Sequence, residues 1–415
     1  MRLMHGTAPL SVAALLWAAQ LGAQQVPDTT SARPDTAQTA PVPARVATYM
    51  NIGFTALVDA GWSTEKNVPS LQLGDHDPRV RGFTIPNTEL TLDGAVDPYF
   101  KGFANFVFKL DEGGETGVEL EEAFLLTTSL PANLQLKLGQ FFAEFGRQNP
   151  QHPHSWAFVD QPLVLNRMFG PEGLRSQGMR LSWLAPTPFY TEAMVGIMNS
   201  VGGTAFSFQS DESPAIHGGV APDPEVGSPG DMLIVPRIAS SFELTETQTL
   251  LFGLSGALGP NNSGPSASTR VFGVDAYYKW KPAAAQQGFP FVSLQVEGLS
   301  RRYEAAERES AEDAAIVLPR ETLRDRGWYG QVLYGIRPRI VAGLRAEVVS
   351  GDEASFASEL RADRFRLSPN MTWYPTEFSK IRLQYNYDDR KSVGTDHSVW
   401  MQFEFLLGAH ASHKF

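Results

Sequence analysis

The chain has 415 residues, no cysteine and a formal net charge of −11 at pH 7. The lack of cysteine excludes disulfide bonds, thiolate metal sites and cysteine catalysis, and the acidic balance argues against nucleic acid as a partner. The length suits two or three globular domains, or one large barrel.

Residues 1–23 have the organisation of a cleavable signal peptide, with the positive charge of Arg2, an apolar run and a small-residue cleavage site before Gln24. Residues 24–45 are rich in Pro, Thr and Ala, which predicts a disordered periplasmic leader. Residues 46–415 show no further shift in composition and are predicted to be one domain. No later segment has the ~20 consecutive apolar residues of a membrane helix. The exported chain is therefore periplasmic, secreted or an outer-membrane barrel.

The domain consists of strand-like runs separated by turn residues, about 16 of them by a strand-and-turn reading. Short connections such as SLPAN, APTP and PTEF alternate with long polar links at 63–80, 142–175, 199–230, 300–326 and 350–362. This alternation is typical of a membrane barrel. We predict an all-β fold: a transmembrane up-and-down antiparallel β-barrel with short periplasmic turns and long extracellular loops.

Each predicted strand has one apolar and one polar face. Leu344 and Ala346 share a parity, for example, whereas Arg345 and Glu347 share the other. Buried charges would be costly in a soluble barrel, but in a wide membrane barrel they line a wet lumen while the apolar face meets lipid. We therefore predict an outer-membrane barrel of a Gram-negative bacterium with a hydrated lumen. Aromatic residues near strand ends are expected to form interfacial girdles: Trp62, Tyr99, Trp183, Tyr190, Trp280, Trp328, Trp373 and Tyr374.

Two segments resemble the phosphate-selective porin O/P family of Gram-negative outer-membrane proteins: GFTIPNTELTLDGAVDPYFKGFANFVFKLDE and VELEEAFLLTTSLPANLQLKLGQFFAEFG. The resemblance extends over most of 46–415 and implies a sixteen-stranded barrel, commonly trimeric, that conducts small anions such as phosphate. The ending LLGAHASHKF is also similar to outer-membrane proteins described as zinc-regulated receptors. A substrate- or zinc-related receptor or transporter is therefore an alternative.

The link at 142–175 is the predicted constriction, because barrels of this width need an inserted loop to discriminate small solutes. Its candidate residues are Arg147, His152, His154, Asp160, Arg167, Glu172 and Arg175. The alternative is an extracellular loop that packs only on the rim.

Strand parity also predicts cations that line the pore: Lys101, Lys109, Lys137, Arg180, Arg237, Arg345, Arg364, Arg366 and Arg382. Their field would favour anions. Inward acidic residues could cancel that field by pairing with them: Asp59, Glu192, Asp275, Glu297, Glu347 and Glu404.

Two histidine pairs have spacings that could serve a zinc ion, namely His152 with His154 and His410 with His413. Neither pair completes a site, so solvated loop histidines are the simpler interpretation. The chain has no nucleophile elbow, zincin motif or phosphate-binding loop. We therefore expect no enzymatic activity and no cofactor, with a barrel enzyme or adhesin of filled lumen as a second alternative. The predicted function is a porin that passes small hydrophilic solutes by diffusion, with outer-membrane lipid and a possible homotrimer as partners.

The last segment, VWMQFEFLLGAHASHKF, is predicted to span the membrane over 397–407 and to end at the periplasmic rim. By resemblance to barrel proteins in general, Phe415 is the terminal aromatic read by the outer-membrane assembly machinery. Deletion of Phe415 is expected to reduce the amount of heat-modifiable barrel in outer-membrane fractions and to leave single-channel conductance nearly unchanged. Normal assembly of the deletion variant would contradict this role.

Overall fold

A computed structural model describes residues 50–71, 74–110, 114–221, 225–391 and 393–408. The predicted signal peptide and leader, His410, His413 and Phe415 lie outside these residues. Sixteen strands form one closed antiparallel barrel whose order follows the chain. The first and last strands close it, from Gly53 opposite Gly408 to Ser63 opposite Ser398. The predicted all-β barrel of about 16 strands is confirmed.

The barrel strands are β1 Met50–Ser63, β2 Gly82–Ala95, β3 Phe100–Leu110, β4 Thr116–Thr127, β5 Leu134–Phe142, β6 Arg175–Leu184, β7 Tyr190–Asn199, β8 Met232–Thr245, β9 Gln248–Pro260, β10 Ser268–Trp280, β11 Phe291–Ala305, β14 Glu321–Arg337, β15 Ile340–Gly351, β16 Arg364–Thr376, β17 Ser379–Arg390 and β18 Gly394–Gly408. A small hairpin pairs β12 Arg308–Glu309 with β13 Val317–Leu318. The helices are α1 Leu163–Phe169 and α2 Pro214–His217. Short 3-10 turns occupy Val68–Leu71, Pro131–Asn133, Pro153–Ser155, Pro229–Asp231 and Glu359–Arg361. Among the described residues, no helix has the length and apolar character needed to cross a membrane.

The connections divide the barrel into a short-turn end and a long-loop end. The short-turn end includes 185–189, 246–247, 338–339 and 377–378, whereas the long-loop end includes 64–81, 143–174, 200–231, 306–320 and 352–363. The predicted link at 300–326 was wrong at both margins. There β11 and β14 continue pairing until Ala305 lies opposite Glu321, so the true loop is shorter.

The outer surface is an apolar belt. Every barrel strand carries at least one exposed large apolar side chain, and on β18 Val399, Met401 and Phe403 are 44%, 48% and 39% exposed. The intervening Gln402 and Glu404 are buried inside the barrel. An apolar band around a closed barrel is the arrangement that lipid covers.

Two of the predicted girdle aromatics do not belong to this belt. Tyr190 donates a hydrogen bond to Glu192, whose carboxylate is buried on the inner face of β7. Tyr374 shares the parity of Thr372, which is buried and hydrogen-bonded to Arg382. Both tyrosines therefore lie on the inner face, because strand parity, rather than proximity to a strand end, decides the direction of the side chain.

A packed apolar cluster fills part of the interior of the long-loop half, so side chains rather than an open lumen occupy this region. Residues of α1, including Leu165 and Phe169, pack with Phe141, Phe145 and Tyr329, and all five side chains are at most 1% exposed. Full burial of such a side chain contributes about 1.5–3 kcal/mol. The packing therefore holds the segment between β5 and β6 inside the barrel.

Candidate functional site

Residues 143–174, which we call the lumen loop, cross the interior of the barrel from one wall to the other. Near its start, the Gly146 amide donates to Ser255 of β9 at 3.0 Å. Further along, the His154 Nδ1 atom lies 2.9 Å from the carboxylate of Glu89 on β2. The loop also contacts inward-facing residues of β4, β11, β15, β16 and β17. The loop lies inside the barrel and does not merely cover its rim.

Asp160 is the main polar anchor of the lumen loop. Its carboxylate accepts hydrogen bonds from Arg345, from Gln384 at 2.9 Å and from Asn386 at 3.1 Å, and it lies 3.1 Å from Arg366. Burial opposes its ionisation, but the guanidinium groups of Arg366 and Arg345 outweigh burial and lower the pKa of Asp160 to about 2. Asp160 therefore stays ionised at physiological pH.

Glu347 forms a second anchor beside the first. It accepts the Leu163 amide at the start of α1 at 2.8 Å and the Arg366 Nε–H at 2.6 Å. Arg345 lies 3.0 Å from the same carboxylate. Arg345 and Arg366 thus share two acids, Asp160 of the lumen loop and Glu347 of β15. The two positive charges balance the two negative ones.

A β-bulge brings two consecutive glutamates to one histidine of the lumen loop. The register between β3 and β4 shifts between Asn105 and Phe106, and Glu121 is the extra residue. Bulges redirect side chains in this way. His152 Nδ1 lies 2.8 Å from Glu121, and His152 Nε2 lies 2.9 Å from Glu122.

The two contacts define the protonation state of His152. A neutral imidazole has only one N–H group, so two carboxylate partners require the imidazolium form. Burial alone would lower the pKa of His152, but Glu121, with smaller contributions from Glu122 and Glu89, raises it well above the usual 6.5. His152 is therefore a cation that holds the loop against β4.

The expectation of solvated loop histidines is wrong for His152 and His154. Their side chains are 15% and 16% exposed, their rings stack with centroids 5.7 Å apart, and each contacts a glutamate. His76, from the loop after β1, lies 3.5 Å from Glu121 in the same cluster. The cluster is a network of ion pairs and hydrogen bonds that ties two loops to the wall.

Among the described residues, the histidine cluster is not close enough to hold a metal ion. The group that is close enough consists of three acids: Asp75, Glu119 and Glu172. Lys109 already contacts all three, at 2.6 Å from Glu119 and 3.0 Å from Glu172. Arg175 adds contacts to Glu119 and to Glu172. Because two cations bridge the carboxylates, we interpret this group as a salt-bridge network.

The other predicted pore-lining cations also face the interior, and most of them are paired. Lys137 and Arg180 both contact Glu144 of the lumen loop, at 3.0 and 2.7 Å. Arg237 donates two hydrogen bonds to Asp275, at 3.0 and 2.8 Å. These carboxylates cancel much of the positive field that the cations would otherwise produce.

The remaining cations differ in their environment. Arg364 donates to Asp388 at 2.8 Å through Nε, and Arg382 donates to the neutral side chain of Gln402 at 2.9 Å. Lys101 is exposed near the short-turn end.

Two arginines of the lumen loop anchor its ends. The Arg147 amide donates to Glu297 at 3.1 Å, and its guanidinium lies 4.0 Å from the ring centre of Tyr277. Arg167 donates to the Ala362 carbonyl at 2.7 Å.

Some interior residues were missed by the sequence analysis. Lys380 lies 2.6 Å from Glu404 and donates to the carbonyl of His154 at 2.6 Å. It has the parity of Arg382, so extending the alternation by one step would have found it. Glu121 and Glu122 gave no such signal, because regular alternation places only one of two consecutive residues inside.

The closed sixteen-stranded fold is similar to the barrels of several outer-membrane proteins. The outer membrane channel DcaP of Acinetobacter baumannii is similar with a TM-score of 0.56 and 12% identity, covering 86% of this chain and 97% of that chain. OprB of Pseudomonas putida, in its high-pH structure, is similar with a TM-score of 0.50 and 9% identity, covering 86% of this chain and 94% of that chain. The trimer form of OmpT of Vibrio cholerae is similar with a TM-score of 0.50 and 8% identity, covering 86% of this chain and 99% of that chain.

A closer relative defines the family. A protein of Aquifex aeolicus, described as an uncharacterized protein, is 31% identical over 355 residues, which are 81% of this chain and 70% of that protein. The chain belongs to the same family as this protein. No family model matches the chain.

Proposed function

We propose that this protein is an outer-membrane channel for small hydrophilic solutes, in which the lumen loop is the gate. The observation that carries the proposal is a closed barrel with an apolar exterior, charged inner walls and one loop across its interior. A sixteen-stranded barrel without such a loop would be wide enough for hydrated solutes. Passage by diffusion therefore depends on the position of the loop. We also propose a homotrimer, since the similar Vibrio cholerae barrel is described in a trimer form.

The pairing across the lumen suggests the charge of the open state. When the loop moves away, Glu144 and Asp160 leave their partners on β5, β6, β15 and β16. His152 and His154 leave the glutamates of β2 and β4. One wall then becomes basic and the other acidic. A preference for anions such as phosphate follows only if solutes pass along the basic wall.

Reconstitution of the full chain in planar bilayers tests the proposal. We expect stepwise conductance, with brief open events in the wild type because the loop is held in place. The reversal potential in asymmetric salt, measured with and without phosphate or zinc, distinguishes an anion channel from a channel without selectivity and from a zinc-related receptor. A lack of stepwise conductance from both the wild type and a loop-deleted variant would overturn the channel and favour a barrel enzyme or adhesin.

Glu144→Gln is expected to shift the reversal potential toward anions. Burial opposes ionisation of Glu144, but Lys137 and Arg180 outweigh it and lower its pKa to about 2, so the wild-type carboxylate is charged. Its neutralisation leaves both cations without this partner. Glu246→Gln, in the exposed turn between β8 and β9, is the control and should leave the reversal potential unchanged. An unchanged potential in both variants would mean that solutes do not pass this wall.

A further inference from the structure

Four arginines form a row on the outer face of the barrel at its long-loop end. Arg270 of β10 lies opposite Arg302 of β11, and Arg302 lies opposite Arg324 of β14. Arg326 follows two positions along β14, opposite Ser300. All four are exposed and alternate with buried neighbours, so they face away from the lumen.

The row lies directly above the apolar belt. The next outward positions toward the short-turn end include Phe272, Val274 and Trp328, which are 56%, 45% and 48% exposed. In a membrane barrel, this height is where hydrocarbon meets the headgroups of the outer leaflet. Arginine suits such a boundary, because its apolar stem can lie along the belt while the guanidinium reaches the polar region.

The protein itself does little to neutralise this row. Like charges directly opposite each other on a sheet are destabilising. Arg302 contacts Glu304 at 3.1 Å, and Arg326 donates to the neutral Ser350 at 3.3 Å. Within the described part of the chain, no carboxylate pairs with Arg270, Arg324 or Arg326; Asp325, between the last two, is buried inside the barrel and held by Arg301 and Arg361. In a chain of net charge −11, such a row is a local concentration of positive charge that favours an external anion.

A cleft borders the row on one side. It has a volume of about 740 Å³ and includes Arg270, the polar Ser268 and the apolar Ile234 and Leu258. Its mixed lining can accommodate a sugar or a glycolipid backbone beside the charged row.

We propose that Arg270, Arg302, Arg324 and Arg326 bind the phosphate groups of a phosphorylated glycolipid of the outer leaflet, whose acyl chains lie on the apolar belt. Guanidinium groups bind phosphate oxygens through paired hydrogen bonds, and a row across three strands can contact two phosphates at once. The inference rests on the outer-membrane placement in the proposed function, but not on conduction. The bound lipid would also neutralise the repulsion within the row.

The test compares binding of diphosphoryl lipid A to the purified full chain in detergent, measured by native mass spectrometry and titration. The variant carries Arg270→Gln, Arg302→Gln, Arg324→Gln and Arg326→Gln. A matched control replaces four exposed cations elsewhere: Lys66→Gln, Arg81→Gln, Arg337→Gln and Lys391→Gln. We expect binding to weaken at least about tenfold in the variant and to change little in the control. Dephosphorylated lipid A should bind weakly to both proteins, and millimolar inorganic phosphate should not displace the lipid.

Several outcomes would overturn the proposal. The proposal is wrong if the variant and the wild type bind the lipid equally, or if dephosphorylated lipid A binds as tightly as diphosphoryl lipid A. It is also wrong if inorganic phosphate fully displaces the lipid. A change of oligomeric state in the variant with unchanged lipid binding would assign the row to a contact between copies of the chain. Heat-modifiable migration and bilayer conductance establish that the variant is folded. Because conductance is measured separately, failure of the lipid site is distinguishable from failure of the channel.

Discussion

Asp160→Asn is expected to convert a mostly closed channel into a mostly open one. The substitution keeps the shape of the side chain but removes the charge that Arg345 and Arg366 contact in the interior. Removal of one partner from a buried ion pair costs about 3–5 kcal/mol. If ~3 kcal/mol of this cost is specific to the inserted loop, the equilibrium between open and closed states shifts roughly a hundredfold.

The measurement is the open probability of single channels in planar bilayers. Asp363→Asn is the control, because Asp363 pairs with Lys391 on the surface, where their side chains are 47% and 76% exposed, respectively. Exposed ion pairs contribute only about 0–1 kcal/mol to stability. The open probability of this control should equal that of the wild type. An unchanged open probability for Asp160→Asn, in a protein that still folds, would show that the loop is not the gate.

Alkaline pH is expected to open the same gate through His152. The groups that face His152 are Glu121 and Glu122 on β4, Glu89 on β2, Asn105 on β3 and His154 on the loop itself. Because the three glutamates favour the imidazolium, its pKa lies well above the usual 6.5 in the closed state.

The sign of the pH effect follows from this raised pKa. Below about pH 6.5, the ordinary pKa of histidine, His152 is charged whether or not the loop is inserted. Its ion pairs then stabilise the closed state to their full extent. This contribution declines above that pH and is lost as the pH rises through the raised pKa. Charge-assisted hydrogen bonds of this kind contribute about 1.5–3 kcal/mol each. We expect open probability to rise with pH by roughly tenfold or more.

His152→Gln should be open more often than the wild type and should lose the alkaline transition. His397→Gln is the control, because His397 is exposed on the outer face of β18, where its ring contacts Tyr385. That variant should keep the wild-type pH profile. If His152→Gln retains the transition, another group is responsible for it.

The alternation of apolar and polar residues was sufficient to predict the strands and their faces. Arg345 and Glu347 are buried in the interior, whereas Leu344 between β14 and β16 is 44% exposed. A period of two needs no knowledge of the neighbouring strand, because each residue of a strand points to the opposite side from the one before it. The strand-like runs separated by turn residues predicted the strand count for the same reason, since each turn is encoded locally. The alternation of short and long connections predicted the up-and-down arrangement.

The sequence by itself therefore determined a barrel, its inner and outer faces, and the long link between β5 and β6. The tertiary structure decided which groups meet. Asp160 and Arg345 are 185 positions apart in the chain and come together only because the lumen loop crosses the barrel. The bulge at Glu121 depends on pairing with β3, and the arginine row depends on the register of β10, β11 and β14. Such contacts arise from strand register and loop path, which are set by packing of the whole barrel and leave no periodic signal in the sequence.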